Sequence, residues 1–144
     1  MELKKRFLHI IEDIKTSKKK RVNEILKPSF ISSDSKNMSS VIAFPHQDWT
    51  CNQRGQVHGG SICSMFDIAM GITVLTHLDG ADVAPTELHA TYIRPFDSDE
   101  YVFESTINNL GRSMVRISCV AKDGANGKVL ATATATYIPV PKEK

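Results

Sequence analysis

The sequence has little cysteine, little net charge and no long uninterrupted apolar run. Among 144 residues there are only three cysteines, Cys51, Cys63 and Cys119, and their spacing fits neither a zinc site nor a disulfide framework. Because unpaired thiols are typical of a reducing compartment, we expect a cytoplasmic location. A formal net charge of +2 is too small for a dedicated nucleic-acid binder, so nucleic acid is not expected as a partner.

Signals for secretion, membrane insertion and several kinds of catalytic site are also missing. Glu12 and Asp13 interrupt the first apolar stretch, and no small-residue cleavage site follows it, which argues against a signal peptide. The most apolar stretch, 57–78, contains His58 and Asp67 and is therefore a poor membrane span. The sequence has no G-x-S-x-G elbow, no phosphate-binding glycine loop and no closely spaced histidines, so neither a serine triad nor a metal is expected.

The composition is that of an ordinary globular domain, with an uneven distribution of charge. Hydrophobic residues make up 41% and charged residues 24%, which excludes wholesale disorder. Residues 1–28 hold nine basic and four acidic residues, a net charge of +5, while the remainder carries −3. We therefore divide the chain into a basic helical extension, 1–28, and a single domain, 29–144. The basic run at 18–21 has two interpretations, a contact patch for phosphates or a solvated face.

Three segments have helical patterns. Apolar residues recur at helical spacing in 2–15, which predicts an amphipathic helix, and a second short helix follows near 22–26 before Pro28. The segment 59–78 is too long for a strand, is apolar on nearly every face and ends before Asp79-Gly80. A helix of this kind must be buried on most sides.

The rest of the chain favours strands. Period-two alternation and turn signals predict strands at 29–34, 38–44, 87–95, 101–108, 113–122 and 129–140, with a hairpin turn at 123–128 and an irregular linker at 46–57. The last three strands are joined by short links, which predicts an antiparallel meander. The fold class is therefore α+β, with a curled antiparallel sheet around one long helix.

The start of the long helix is the first candidate for chemistry. His58 is followed by Gly59 and Gly60, and glycine allows a ligand to approach the backbone closely. The first N–H groups of a helix have no intrahelical acceptor and lie at the positive end of the dipole, so they can bind an oxygen that becomes an oxyanion. His58 has two interpretations, a structural hydrogen bond at this junction or proton transfer.

Asp67 is the second candidate. It is the only Asp, Glu, Lys or Arg residue in 57–78, and none of its helical neighbours can neutralise its charge. A carboxylate on a buried helix is costly unless it is paired, hydrated or used. Asp67 is therefore either a functional carboxylate or a satisfied buried polar group, and its combination with the glycine-opened helix favours function.

Three segments together resemble a known family. They are 52–60 (Asn-Gln-Arg-Gly-Gln-Val-His-Gly-Gly) with Asp67 after six intervening residues, then 86–95 (Thr-Glu-Leu-His-Ala-Thr-Tyr-Ile-Arg-Pro), and 110–113 (Leu-Gly-Arg-Ser). This set resembles the hot-dog fold acyl-CoA thioesterases of the phenylacetate-pathway (PaaI) type, which include relatives of 4-hydroxybenzoyl-CoA thioesterase. The resemblance covers roughly residues 38–140.

The resemblance implies a fold, an assembly and a mechanism. One long helix would be wrapped by a curved antiparallel sheet, and subunits would pair into a dimer or a dimer of dimers with the site at their interface. The amide of Gly59 would polarise the thioester carbonyl of an acyl-CoA. Asp67 of the other subunit would attack it or activate water, and Asn52 would position the water or the carbonyl. No cofactor is implied beyond the coenzyme A of the substrate.

Further roles follow from the same resemblance. Some relatives hold the attacking water with a Ser or Thr at a position that is Pro85 here, and Thr86 fills the role if the register shifts by one. Gly60 would contribute to the substrate site. Arg94, Arg112 and Ser113 would meet the phosphates of coenzyme A or, alternatively, are solvated strand-end residues.

The sequence leaves several functional alternatives open. A hot-dog protein can also bind acyl-CoA without hydrolysing it, as a sensor, and a hot-dog dehydratase would use His58 with Asp67. The acyl group is not identified, because the apolar residues near the motif are suited either to a pocket or to the core. These residues are Met65, Phe66, Met70 and Phe96.

Overall fold

The computed structural model describes residues 2–78 and 81–141, so Asp79-Gly80, before which the long helix is expected to end, lies outside the described residues. The described elements are α1 (Leu3–Thr16), α2 (Val22–Ile25), β1 (Ser29–Asp34), β2 (Ser39–Pro45), a 3-10 turn (Asp48–Thr50), α3 (Gly59–His77), β3 (Asp82–Tyr92), β4 (Glu100–Leu110), β5 (Val115–Asp123) and β6 (Val129–Val140). The predicted helices and most predicted strands are present, with ends within two residues of their expected positions.

The six strands form one antiparallel sheet in the order β1-β2-β4-β5-β6-β3. Within the described part of the chain, β1 and β3 are therefore the edge strands. α3 packs against β2, β3, β4, β5 and β6, so the sheet wraps around it. The predicted α+β hot-dog fold, one long helix enclosed by an antiparallel sheet, is confirmed.

The core lies between α3 and the inner face of the sheet. The alternation predicted for β5 is observed, since Val115, Ile117, Cys119 and Ala121 are all buried. β6 contributes mostly alanines to the same face, and these small side chains leave room for the bulky residues of α3. Met65, Phe66, Met70 and Phe96 are fully buried in the core. Phe96 also lines a groove, so for this residue both interpretations apply.

By length and composition alone, α3 is apolar enough to cross a membrane. Its buried residues lie on almost every side of the helix because the sheet curls around it. The enclosed position of α3 in the core accounts for its apolarity.

The N-terminal extension shares this core. Phe7 and Ile11 of α1 and Leu26 after α2 are buried in the same cluster as α3, and the Phe7 ring lies 5.2 Å from that of Phe30. The basic run at 18–21 is exposed, and Arg21 donates to Glu24 at 2.8 Å. The extension is thus basic on its outside and apolar where it meets the domain; the boundary at residue 28 stays a prediction.

The main difference from the sequence prediction concerns β3, which spans Asp82–Tyr92 instead of 87–95. Proline is a poor strand former, and Pro85 hides the first half of this strand from pattern analysis. The structure accommodates Pro85 because β3 is an edge strand and because the register with β6 shifts between Pro85 and Glu87. Thr86 is the extra residue in this bulge.

Candidate active site

The start of α3 is fixed by His58. Its side chain caps the helix, with Nδ1 accepting a hydrogen bond of 3.0 Å from the Gly60 N–H. The structural role left open for His58 is therefore present. The Gly59 N–H belongs to the same first turn, where amides have no intrahelical acceptor, so this donor is available at the helix end.

Tyr92 closes one side of this helix end. Its hydroxyl donates to the Gly59 carbonyl at 2.9 Å and lies 3.1 Å from Cys63 Sγ. A Cβ atom on Gly59 would lie only 3.1 Å from the Tyr92 oxygen, so a glycine fits best here. The hydrogen bond with Cys63, together with burial, raises the pKa of Tyr92 to about 12, which keeps its phenol protonated at neutral pH.

A groove of about 300 Å³ lies in front of Gly59 and is also lined by Asn52, Tyr92 and Arg94. The Asn52 side-chain oxygen accepts hydrogen bonds from the Arg54 and Gln56 backbone amides, so it shapes its own loop. The Arg94 guanidinium donates to the Val129 carbonyl at 2.5 Å. Three predicted site residues, Asn52, Gly59 and Arg94, are thus brought together.

Asp67 forms a second centre further along α3. Its Oδ1 accepts a hydrogen bond of 2.7 Å from the Tyr137 hydroxyl, which also lies 2.9 Å from the Asp67 carbonyl. The Tyr137 side chain is buried, and burial, followed by the hydrogen bond to Asp67, raises the pKa of this phenol. Asp67 itself is only half-buried and lines two grooves, so it has a partner without being sealed off.

Thr86 lies beside Asp67. An open groove of about 480 Å³ is lined by both residues together with Cys63 and Ser64 of α3. The Thr86 hydroxyl donates to the Thr136 carbonyl at 3.3 Å. Pro85 and Thr86 both line this groove, and Thr86 is the one of the two with a hydroxyl, so its role in holding water stays a prediction.

The two centres lie far apart within one chain. Gly59 and Asp67 are eight residues apart on α3, about 12 Å along its axis. His58 is farther still, and its Nδ1 is already bonded to Gly60, so His58 and Asp67 do not form an acid–base pair in one chain.

The predicted phosphate contacts are also separated. Arg112 and Ser113 are exposed in the turn before Val115. Val115 pairs with Tyr137, which also pairs with Pro85 near the start of β3. Arg94 instead follows the end of β3. Pro85, which pairs with Tyr137, is seven residue steps from Tyr92 along β3, a distance of roughly 23 Å. A single chain therefore presents two half-sites, one with Gly59 and Arg94, the other with Asp67 and Thr86.

The sequence analysis missed Tyr137 and Tyr92. Tyr137 ends a run of inward-facing alanines in β6, and one large polar side chain in such a run is the signal that could have indicated it. Tyr92 ends β3 with half of its surface exposed. In residues 2–78 and 81–141, no three His, Cys, Asp or Glu side chains are close enough to hold a metal ion.

A sequence model of the thioesterase superfamily matches residues 54–130, more than half of the chain. The chain belongs to the thioesterase superfamily. The match includes Gly59, Asp67 and Thr86, which line the two half-sites.

Individual relatives agree with this membership. A protein of Saccharolobus solfataricus named as an esterase is 28% identical over 98 residues, covering 68% of this chain and 69% of that protein. A thioesterase family protein of Silicibacter pomeroyi has the same fold, with a TM-score of 0.82 at 17% identity over 98% of this chain and all of that one. The PaaI protein of E. coli gives 0.80 at 15% identity over 96% of both chains, which shows the fold alone.

Proposed function

We propose that this thioesterase superfamily member is an acyl-CoA thioesterase, which hydrolyses an acyl- or aryl-acyl-CoA to the free acid and coenzyme A. The observation that carries the proposal is Asp67, a half-buried carboxylate on an otherwise apolar helix. Its orientation is fixed by Tyr137, and it lines two grooves. A carboxylate kept accessible in this way is suited to chemistry at a carbonyl carbon.

The Gly59 amide would bind the thioester oxygen. Charge develops on that oxygen as the carbonyl carbon becomes tetrahedral, and a fixed N–H at the positive end of a helix stabilises it. One such donor typically contributes about 3 kcal/mol to lowering the barrier. His58 would act as a positioning residue, since its cap on Gly60 fixes the first turn that presents the Gly59 amide.

Asp67 would supply the attack by one of two routes. As a nucleophile, its carboxylate adds to the carbonyl carbon and expels the coenzyme A thiolate, and water then hydrolyses the mixed anhydride. As a general base, it takes a proton from a water that attacks the same carbon, with Thr86 and Asn52 positioning the water or the carbonyl. The tetrahedral intermediate then breaks its C–S bond and releases the coenzyme A thiolate, which takes up the proton. Both routes need the Asp67 carboxylate held in one orientation, which the Tyr137 hydrogen bond provides.

The spacing of the two centres supports a shared site between subunits. One carbonyl group must contact both the Gly59 amide and the Asp67 carboxylate, and about 12 Å of helix separates these groups within a chain. A second copy in antiparallel orientation would place its Asp67 opposite Gly59. The β3 edge offers the pairing surface, since Tyr92 and the following Ile93 are each half exposed there.

The same symmetry would complete the coenzyme A site. One subunit would contribute Arg94, which lies beside Gly59. The other would contribute Arg112 and Ser113, which lie beyond its Asp67. These side chains would approach one groove. Cationic and hydroxyl groups of this kind bind phosphates. Gly60 would contribute to the substrate site through the cap, since its N–H donates to His58 Nδ1. We propose the homodimer, or a dimer of such dimers, as the active form and the cytoplasm as its location.

A thiol-release assay with a panel of acyl-CoA esters tests the proposal. We expect the wild-type chain to release coenzyme A and Asp67→Asn to lose at least about a hundredfold in kcat, because the attacking group is removed. Glu104→Gln is the matched control, since this carboxylate pairs with Lys122 at 2.7 Å outside both grooves. Unchanged turnover in Asp67→Asn would remove Asp67 from the mechanism; binding of esters without release would favour the sensor instead.

A further inference from the structure

A second groove shares Asp67 and Pro85 with the groove that contains Thr86 and continues between α1 and α3. It has a volume of about 430 Å³ and begins at Asp67 and Tyr137. Its remaining walls come from α1, α2, α3 and the start of β3, and Asn23 of α2 is among the polar residues that line it. The aliphatic side chains of these walls are Ile10, Ile14, Ile68, Ile72, Leu75 and Val83.

This groove follows one face of α3. Asp67, Gly71 and Leu75 are spaced four residues apart, so they lie above one another on the helix surface. Gly71 has no side chain to obstruct the passage beside Tyr137. From Asp67 to Leu75 the groove runs about 12 Å, the length of an extended alkyl chain of roughly eight to ten carbons.

The N-terminal extension forms the wall opposite α3. Ile10 and Ile14 of α1 are partly buried against the core and still line the groove. Asp13 and Asp82 also line it, and the Asp13 carboxylate is 67% exposed. These acidic groups would repel an acyl group that ends in a second carboxylate.

The other directions from Asp67 suit an apolar chain less well. Met65, Phe66 and Met70 are fully packed, so the core offers no space. The groove toward Thr86 borders the β3 edge where we place the partner subunit, so the partner would occupy that side. The groove along α1 is the apolar exit from the reacting centre.

Building on the proposed thioesterase function, we propose that α1 and α3 together hold the acyl chain, and that Ile14 of α1 sets its length. The substrate is then an uncharged, apolar acyl-CoA of medium length. The extension has a function in this account: it forms one wall of the substrate site.

Substitutions on two faces of α1 test the proposal. Ile14→Trp fills the groove and Ile14→Ala opens it, while Leu8→Trp adds the same bulk on a different, 44% exposed face. The readout is the ratio of kcat/KM for octanoyl-CoA to that for acetyl-CoA, with decanoyl-, palmitoyl- and glutaryl-CoA alongside. Because both values come from one preparation, a partly unfolded variant does not change the ratio.

We expect Ile14→Trp to lower the octanoyl-to-acetyl ratio about tenfold or more, since each buried methylene contributes about fourfold to binding. Ile14→Ala should shift the preference toward longer chains, Leu8→Trp should leave it within about twofold, and glutaryl-CoA should be a poor substrate. Equal ratios in wild type and Ile14→Trp, or a preference for glutaryl-CoA, would overturn the proposal.

Calorimetry separates this inference from the proposed function. The probe is the thioether analogue of octanoyl-CoA, which lacks a cleavable thioester. If the wild-type chain releases no coenzyme A from any ester, the proposed function fails. Binding of the analogue then tests by itself whether the groove holds the acyl chain. Binding weakened about tenfold by Ile14→Trp and unchanged by Leu8→Trp supports the acyl groove; equal binding by both variants contradicts it.

Discussion

At the scale of single residues, the Tyr137 hydroxyl of β6 forms a hydrogen bond with the Asp67 carboxylate on α3. Tyr137→Phe removes the hydrogen bonds to the Asp67 carboxylate and carbonyl and keeps the buried ring. We expect kcat to fall about tenfold with KM nearly unchanged, because a hydrogen bond to a charged group contributes about 1.5–3 kcal/mol. Steady-state kinetics on the preferred ester measures this split.

Tyr101→Phe is the control for that variant. Tyr101 is equally buried, but its hydroxyl donates to the Ser98 carbonyl and contacts His46 away from Asp67. The control should lose about 1 kcal/mol of unfolding free energy and keep its kcat. If both variants had the same kcat, Tyr137 would be a stabilising residue without a role in positioning Asp67.

Asp67 could be predicted from the sequence and Tyr137 could not, for a physical reason. An isolated charge in an apolar helix is a local feature, so a single chain segment reveals it. The partner lies seventy residues away. It meets Asp67 only through the register of β6 across the sheet and the packing of α3, which local patterns do not specify.

At the scale of elements, α1 acts as part of the core. Phe7 is fully buried and packs on Phe30, whereas Leu8 next to it is 44% exposed. We expect Phe7→Ala to lower the unfolding free energy by about 3–5 kcal/mol, because a large cavity is left behind. Leu8→Ala should change it by less than about 0.5 kcal/mol. Urea denaturation compares the two variants. If Phe7→Ala lost as little unfolding free energy as Leu8→Ala, α1 would be only an appendage.

The helices and the meander β4–β5–β6 were predictable because their signals are local. The all-round apolar character of α3 indicates enclosure, and the alternation in β5 specifies which face is inward. The first half of β3 was missed since its pairing with β6 and the bulge at Thr86 are tertiary features that accommodate Pro85. Pro85 and Thr86 both line the groove with Asp67, so the missed stretch of strand also contributes to a half-site.

At the scale of the whole molecule, all three tyrosines have raised pKa values in the folded chain. The pKa of Tyr92 is about 12, through its hydrogen bond with Cys63 and burial, and burial raises those of Tyr101 and Tyr137. An unfolded tyrosine titrates near 10, so above that pH the folded chain binds more protons than the unfolded chain. Stability should therefore be full below about pH 10 and fall as the pH rises toward 12.

Phenolate absorbance and urea denaturation across alkaline pH check this expectation. The native protein should show almost no phenolate at a pH of about 10, where the urea-unfolded chain is about half titrated. Tyr92→Phe should lose part of the pH dependence of stability between about 10 and 12. Tyrosines that titrate normally in the native protein would contradict the assigned pKa shifts.

The Gly59 amide can be deleted with little change to the helix. Proline lacks the N–H, suits the first position of a helix, and requires an extended residue before it. His58 already has such a conformation, with φ −63° and ψ 140°. Gly59→Pro should lower kcat about a hundredfold. Gly59→Ala, whose Cβ meets Tyr92 in the same way but which keeps the amide, should retain most activity.

The central claim is that one site joins Gly59 of one subunit to Asp67 of another, and subunit complementation tests it most directly. Asp67→Asn and Gly59→Pro are each expected to keep about a hundredth of the wild-type kcat or less when alone. When they are unfolded together, mixed equally and refolded, half of the dimers should be heterodimers with one intact and one doubly defective site. The account predicts recovery of about a quarter of wild-type activity. No recovery, with heterodimers present by native mass spectrometry, would contradict it.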